Sequence, residues 1–283
     1  MANDPRGAEL VRATVFSVAF LVGGCLTSCV PPARRLPPEL PEVSGLVYAQ
    51  GGRLLAINDG GNPAVVYALG PGAHGVERFG TAGHNRDWEA MSSDGRGRII
   101  VCDVGDNARV RDSIRVLAYD TSGRLTGDYG LAYPNGAHDC EACLLRGDTL
   151  TLITKARTLG GGRFRTAHVF RARIGTDRRL TLVDSFVLRR RSVTDAVHLE
   201  GDTLAVLAYD FRFLGPLPLS KTTVYVGTLS GFRQNRQRRR KIHAPFTLTQ
   251  FEAMAYPGDG DGVLLASERT WILPQRWRRI SLP

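Results

Sequence analysis

Asp139-Cys140-Glu141-Ala142-Cys143-Leu144-Leu145-Arg146-Gly147-Asp148-Thr149-Leu150-Thr151-Leu152-Ile153-Thr154-Lys155 reads as two short apolar runs joined by a Gly-Asp turn, with charged residues at both outer ends. Short β-branched runs bounded by turn formers are the signature of a β-hairpin. The opening triplet, polar then small then apolar, recurs as Ser44-Gly45-Leu46, Glu89-Ala90-Met91, Asp195-Ala196-Val197 and Glu252-Ala253-Met254. Along the chain the five triplets are 45, 52, 54 and 57 residues apart.

Each triplet is followed by a second apolar run: Arg53 to Asn58, Arg98 to Val104, Thr149 to Thr154, Thr203 to Tyr209 and Gly262 to Ser267. Third runs follow at Val65 to Leu69, Ile114 to Tyr119, His168 to Ile174 and Val224 to Leu229. No long stretch has helical periodicity. Four short strands per repeat of this length describe propeller blades. The expectation is an all-β chain, a β-propeller of five four-stranded blades over residues 42–283, at about 49 residues per blade when counted from residue 40. The last repeat is short after Trp271, so the segment around residues 36–41 is expected to complete it and close the ring. A sixth, degenerate blade is the alternative, carried by the stretch from Arg236 to Phe246.

At 43% hydrophobic residues, the 283-residue chain is neither disordered nor collagenous nor a coiled coil. Its 37 basic against 27 acidic residues leave a net charge of +10, which directs attention to anionic partners. Arg6 and Arg12 precede an apolar run from Ala13 to Gly24, and Leu26-Thr27-Ser28-Cys29 resembles the lipobox of bacterial lipoproteins. The run is shorter than the roughly 20 apolar residues a spanning helix needs. Residues 1–28 therefore read as a lipoprotein signal peptide, Cys29 as the lipidated residue and 29–41 as a tether, with Cys25 as the alternative cleavage point. This makes the protein extracytoplasmic and membrane-anchored. An exported chain meets an oxidising compartment, so one disulfide is expected among Cys102, Cys140 and Cys143.

The triplets place Ser44, Glu89, Glu141, Asp195 and Glu252 at equivalent positions, with Glu42, Asp87, Asp139, Val193 and Gln250 two residues earlier. Alternation puts both sets on one side of the first strand. Asp59, Asp103, Lys155, Asp210 and Glu268 lie 14 to 16 residues after the triplet, at the end of the second strand and so at the same edge of each hairpin. If the first strands line the central channel, these groups form a carboxylate ring at its mouth. The ligand-binding candidates are Asp59, Asp87, Glu89, Asp103, Asp139, Glu141, Asp195, Glu252 and Glu268.

Crowded like charges disfavour one another's ionised form, which leaves three solutions. A hard cation, Ca²⁺ or Mg²⁺, suits oxygen-only ligands, with Glu89, Glu141, Asp195 and Glu252 as candidates. Alternatively, Glu141 acts in catalysis with Lys155 steadying developing negative charge, and His138 is a further candidate base. The third solution is structural, each acid capping backbone N–H groups or pairing with an arginine of the next blade.

Asn58-Asp59-Gly60-Gly61-Asn62-Pro63, Asp87-Trp88-Glu89, Asp103-Val104-Gly105-Asp106-Asn107 and His138-Asp139-Cys140-Glu141-Ala142 resemble recurrent motifs of a family of exported bacterial β-propeller lipoproteins. More distantly, the repeats are similar to the phytase-like (esterase-like) propellers and to the gluconolactonase and regucalcin group. The near resemblance implies the propeller fold and the export route. The distant one implies a central-channel divalent ion supporting hydrolysis.

The densest charge run, Arg236-Gln237-Arg238-Arg239-Arg240-Lys241, suits an anionic surface, for which the lipid headgroups beside a membrane anchor are the nearest source. No aromatic interleaving accompanies it, so no specific nucleic acid is expected. There is no Gly-x-Ser-x-Gly elbow and no Walker loop, and Gly160-Gly161-Gly162 reads as a hairpin tip. The reading that results is a monomeric, lipid-anchored propeller that binds a ligand or a protein at an acidic channel mouth. Its rival is a divalent-metal-dependent hydrolase of lactonase or phosphoesterase type.

Overall fold

The computed structural model describes residues 34–71, 75–156, 164–214, 217–242, 249–270 and 273–283. Residues 1–28, expected to be a signal peptide, lie outside the described residues with Cys29 and Gly160-Gly161-Gly162. No helix among those residues is long and apolar enough to cross a membrane.

The strands form five antiparallel four-stranded sheets. Blade I is β2 (Val43–Tyr48), β3 (Leu54–Asn58), β4 (Val65–Leu69) and β5 (Val76–Thr81). Blade II is β6 (Trp88–Ser93), β7 (Ile99–Asp103), β8 (Ile114–Tyr119) and β9 (Leu125–Leu131). Blade III is β10 (Cys140–Arg146), β11 (Thr149–Thr154), β12 (Phe164–Arg173) and β13 (Thr181–Arg189). Blade IV is β14 (Ser192–His198), β15 (Leu204–Leu214), β16 (Leu217–Gly227) and β17 (Arg238–Ile242), with the short helix α1 (Leu229–Arg233) before its last strand.

Blade V takes β18 (Phe251–Ala255), β19 (Val263–Ser267) and β20 (Arg276–Ile280) from the end of the chain and β1 (Arg34–Arg35) from its beginning. The ring therefore closes through strand pairing between sequence-distant segments. The closing strand lies at Arg34–Arg35, just before the expected stretch. Leu36 and Leu40 behind it are buried, and Gln275 Nε2 donates to the Pro37 carbonyl at 2.8 Å. The basic stretch that suggested a sixth blade is β17, the outer strand of blade IV, paired with β16 from Arg238 to Ile242. Five blades account for every described strand.

The core is divided among the blade interfaces. Leu55, Ile57 and Val66 of blade I pack on Trp88, Ile99 and Val101 of blade II, and four more clusters of this kind fill the other interfaces. Each inner strand touches the inner strands of both neighbouring blades. A disulfide between Cys102 and Cys143 ties blade II to blade III across 41 residues of sequence. Cys140 stays a buried free thiol.

Candidate functional site at the channel mouth

The five inner strands share one irregularity, and it builds the site. In each, the register to its neighbour slips by one residue: between Val43 and Gly45, Trp88 and Ala90, Cys140 and Ala142, Val193 and Asp195, and Phe251 and Ala253. The bulged residues are Ser44, Glu89, Glu141, Thr194 and Glu252. A bulge adds a residue and re-aims its side chain, here at the start of every inner strand.

This register moves Asp195 out of the ring. Thr194 holds the position of the other bulged residues: its Oγ1 donates to the Phe251 carbonyl of blade V at 3.4 Å, as Ser44 Oγ donates to the Trp88 carbonyl of blade II at 2.7 Å. Asp195, one residue on and 1% exposed, instead accepts from Ala196 N at 2.7 Å and Met254 N at 2.6 Å. Its carboxylate staples blade IV to blade V.

The second set shifts in the same way. Counted from the pair that precedes each bulge, the next residues on the second strands are Asp59, Val104, Lys155, Tyr209 and Glu268, so Asp103 and Asp210 fall out of the ring position. Asp103 is fully buried, pairs with Arg111 at 2.8 Å and accepts from Asp87 N at 3.2 Å. Asp210 pairs with Arg191 at 3.2 Å. Lys155 is thus the ring's ammonium in a set with Val104 and Tyr209, rather than one base among four acids.

Asp59, Asp87, Glu89, Asp139, Glu141, Glu252 and Glu268 are brought together with Lys155. One oxygen from each of Asp59, Asp87 and Glu89 lies within 4.8 Å of the others, and the same holds for Glu89, Asp139 and Glu141. Glu89 belongs to both triads. Lys155 Nζ lies 2.5 Å from Glu141 Oε1 and 4.0 Å from Asp139 Oδ2, so an ammonium already serves the second triad. The first triad has none. Gly60 N donates to Asp59 Oδ1 at 2.5 Å, but Glu89, only 7% exposed, has no hydrogen-bond or ion-pair partner among the described residues.

The loops supply the room for this crowding. A Cβ on Gly105 would fall 2.5 Å from Asp87 Cγ and 2.5 Å from Glu89 Oε1, and one on Gly60 would fall 2.7 Å from Asp87 Oδ1. Glycine is required where backbone and carboxylates meet this closely.

Burial, with neighbouring negative charge, raises the carboxyl pKa values of Asp59, Asp87, Glu89, Glu141, Glu252 and Glu268. Asp87 is pushed up to about 6 by burial, Asp59 and Asp139. Glu268 is pushed up to about 7 by burial, Asp59 and Glu42. Burial also lifts Glu141 to about 7, against the opposing charge of Lys155. Glu89 is held well above the usual range by burial and Glu141, and Glu252 by burial and Glu268. Burial disfavours the Lys155 ammonium, yet Glu141, Asp139 and Glu89 outweigh it and keep the pKa above that of an ordinary lysine.

His138 is not among these groups. Its ring packs edge-on to Tyr133 at 4.9 Å and near His168 at 5.6 Å, and Nε2 meets Asn135 Oδ1 at 3.0 Å. His84 is exposed. The Asp103-to-Asn107 stretch is a turn buttressed by Arg111, which donates to the carbonyls of Asp103 and Gly105.

Neither a protein-family model nor a curated protein matches the sequence. Among solved structures the chain is similar to one from a nidogen/laminin complex, at 10% identity and a TM-score of 0.44 over 80% of this chain and 72% of that one. It is also similar to Kuenenia stuttgartiensis hydrazine synthase, at 11% identity and 0.43 over 92% and 100% of the two chains. A third is Pseudomonas brassicacearum lignostilbene dioxygenase, at 11% identity and 0.42 over 79% of this chain and 52% of that one, so the chain spans about half its length. The chemistry of the site follows from this chain's own residues.

Proposed function

We propose that this propeller is an extracytoplasmic binding module whose channel mouth takes a divalent cation, Ca²⁺ or Mg²⁺, on Asp59, Asp87 and Glu89. Glu89 carries the reading: a buried carboxylate without a donor, in contact range of two further carboxylates, is a costly arrangement that a hard cation relieves. Raised carboxyl pKa values support it, since protons occupy such a site when no cation does. Lys155 occupies the place of a second ion beside Glu141 and Asp139.

Lipid attachment at Cys29 holds the module at a membrane, and the basic outer strand β17 offers a surface for its anionic headgroups. Arg238, Arg239 and Lys241 are exposed or half-exposed there, with Arg236 just before them, and Arg240 Nη1 donates to the Ser281 carbonyl at 2.9 Å. A basic edge strand repels other edges and attracts anionic headgroups at once.

The test is thermal unfolding of the purified protein at pH 7.5 with EDTA, then with excess Ca²⁺ or Mg²⁺. Saturation a hundredfold above Kd adds about 2.7 kcal/mol, a rise of roughly 5 to 10 °C in a domain of this size. Glu89→Gln is expected to abolish the rise and to stabilise the cation-free protein. No rise with either ion overturns the assignment. Turnover of lactone or phosphomonoester substrates that Glu141→Gln silences would replace the binding module with a hydrolase.

A further inference from the structure

At the opposite end of blades III and IV, five residues along β10 from Glu141 and so roughly 16 Å away, the two blades part around a cleft of about 520 Å³. Its floor is apolar, made by Leu144, Leu204 and Leu229, and its walls are cationic and hydroxylic. Arg146, Arg171 and His198 converge there from β10, β12 and β14, with Thr149 and Thr151 beside them on β11.

Two features set this cleft apart from an ordinary basic surface. His198 Nδ1 is buried and has no hydrogen-bond partner. Among the described residues Arg171 has no acid in ion-pair contact, while Arg146 is held by Asp202 at 2.7 Å and by the Gly201 carbonyl. The one acid of the cleft is thus spent on one of two guanidiniums. We infer that this cleft is a binding site for a small organic anion, its phosphate or carboxylate group taken by Arg171 and His198 and its body lying over the leucines.

The charge balance fits. Burial, Arg146 and Arg171 push the His198 pKa down to about 4, against the weaker opposing effect of Asp202. The cleft therefore rejects a third positive charge, and an arriving oxyanion supplies what the imidazole lacks. Arginine and histidine donors to an oxyanion form charge-assisted hydrogen bonds, the stronger class. The cleft volume exceeds that of a bare phosphate, so a phosphorylated or carboxylated small molecule is the expected occupant.

The experiment is calorimetric titration of the full protein with inorganic phosphate, a hexose 6-phosphate and the uncharged hexose, all in EDTA so that the channel mouth holds no cation. The phosphorylated sugar is expected to bind more tightly than inorganic phosphate, and the free hexose not to bind. Arg171→Gln and His198→Gln should each weaken it about ten-fold or more, and the His198 ring resonances should titrate at higher pH when it is bound. Arg171 is exposed, so its variant tests binding without threatening the fold. Absence of binding by all three probes, or affinity unchanged in Arg171→Gln, overturns the assignment. Loss of Ca²⁺ binding at the mouth would leave it standing, because neither Arg171 nor His198 touches the carboxylate ring.

Discussion

Lys155 Nζ lies 2.5 Å from Glu141 Oε1, and the ammonium serves one of the two carboxylate triads that share Glu89. The asymmetry of the channel mouth has this pair as its source. Blade III places a lysine where blades I and V place Asp59 and Glu268, so the cationic partner of Glu141 is covalent while that of Asp59 and Asp87 must come from solution.

Replacing Lys155 with methionine tests that division. Breaking a buried ion pair costs about 3–5 kcal/mol, so the EDTA-treated variant should melt well below the parent at pH 7.5. In excess Ca²⁺ the variant should bind two ions where the parent binds one, because Glu89, Asp139 and Glu141 are then free to hold the second. Calorimetric stoichiometry reads this directly. A variant that still takes one ion would show that Lys155 does not stand in for a cation.

The pH dependence of the cation-free protein has a definite sign. Asp87, at about 6, and Glu141 and Glu268, at about 7, titrate higher in the folded chain than unfolded carboxyls do, near 4. The folded state therefore holds more protons between roughly pH 4 and 7. Their stabilising contribution is complete below that window and is lost as pH rises through it. Asp120, lowered to about 2 by its bonds to Ser122 and Arg124 against an opposing burial effect, acts only at lower pH, while His198, lowered to about 4 chiefly by burial, opposes the carboxyls within the window and is outnumbered by them. In EDTA the melting temperature should fall from pH 5 to pH 8. Excess Ca²⁺ should restore it at pH 8 and do little at pH 5. A flat profile in EDTA would mean that the cluster is relieved in some other way.

Asp195 and Glu89 occupy neighbouring positions in the repeat and should behave oppositely. Asp195→Ala strips the acceptor from Ala196 N and Met254 N and leaves two buried donors unmatched. The expected loss is about 3 kcal/mol or more in unfolding free energy, with Ca²⁺ affinity unaltered. Glu89→Gln should lose the ion and gain cation-free stability. Parallel denaturation and titration of the two variants separates a staple from a ligand, and a loss of Ca²⁺ binding in Asp195→Ala would return Asp195 to the ring.

The five blades were legible because each repeats a hairpin with apolar runs of strand length, and Val65–Leu69 and Ile114–Tyr119 coincide with β4 and β8. The ring was legible in outline, since acids recur at one end of those hairpins. Its register was not. A bulge moves the alignment by one residue, and Asp195 in the triplet Asp195-Ala196-Val197 resembles Glu141-Ala142-Cys143 so closely that Thr194 goes unnoticed. Thr194 matches Ser44 through its place in the bulge and through what each touches, the carbonyl of the next inner strand, neither of which the triplet reveals. The departures of Asp103 and Asp210 have the same origin, and their partners Arg111 and Arg191 come from loops whose path no local pattern encodes. The anion cleft is less legible still, because Arg146, Arg171 and His198 are separated by a turn and a blade boundary.

The last prediction concerns space. Gly105 N donates to the Asp87 carbonyl at 3.1 Å, so the loop after β7 lies directly on the first triad. A methyl group at Gly105 would sit 2.5 Å from both the Asp87 carboxyl carbon and Glu89 Oε1, and one of the two side chains must move. Displacing a single ligand from a three-carboxylate site should reduce Ca²⁺ affinity about ten-fold or more in Gly105→Ala. Gly130→Ala, on the outer strand β9 with open space around the added carbon, is the control and should bind as the parent does. Parental affinity in Gly105→Ala would place the ion away from Asp87 and Glu89. Selective loss there, with blade packing intact by circular dichroism, would fix it between the loop and the bulge.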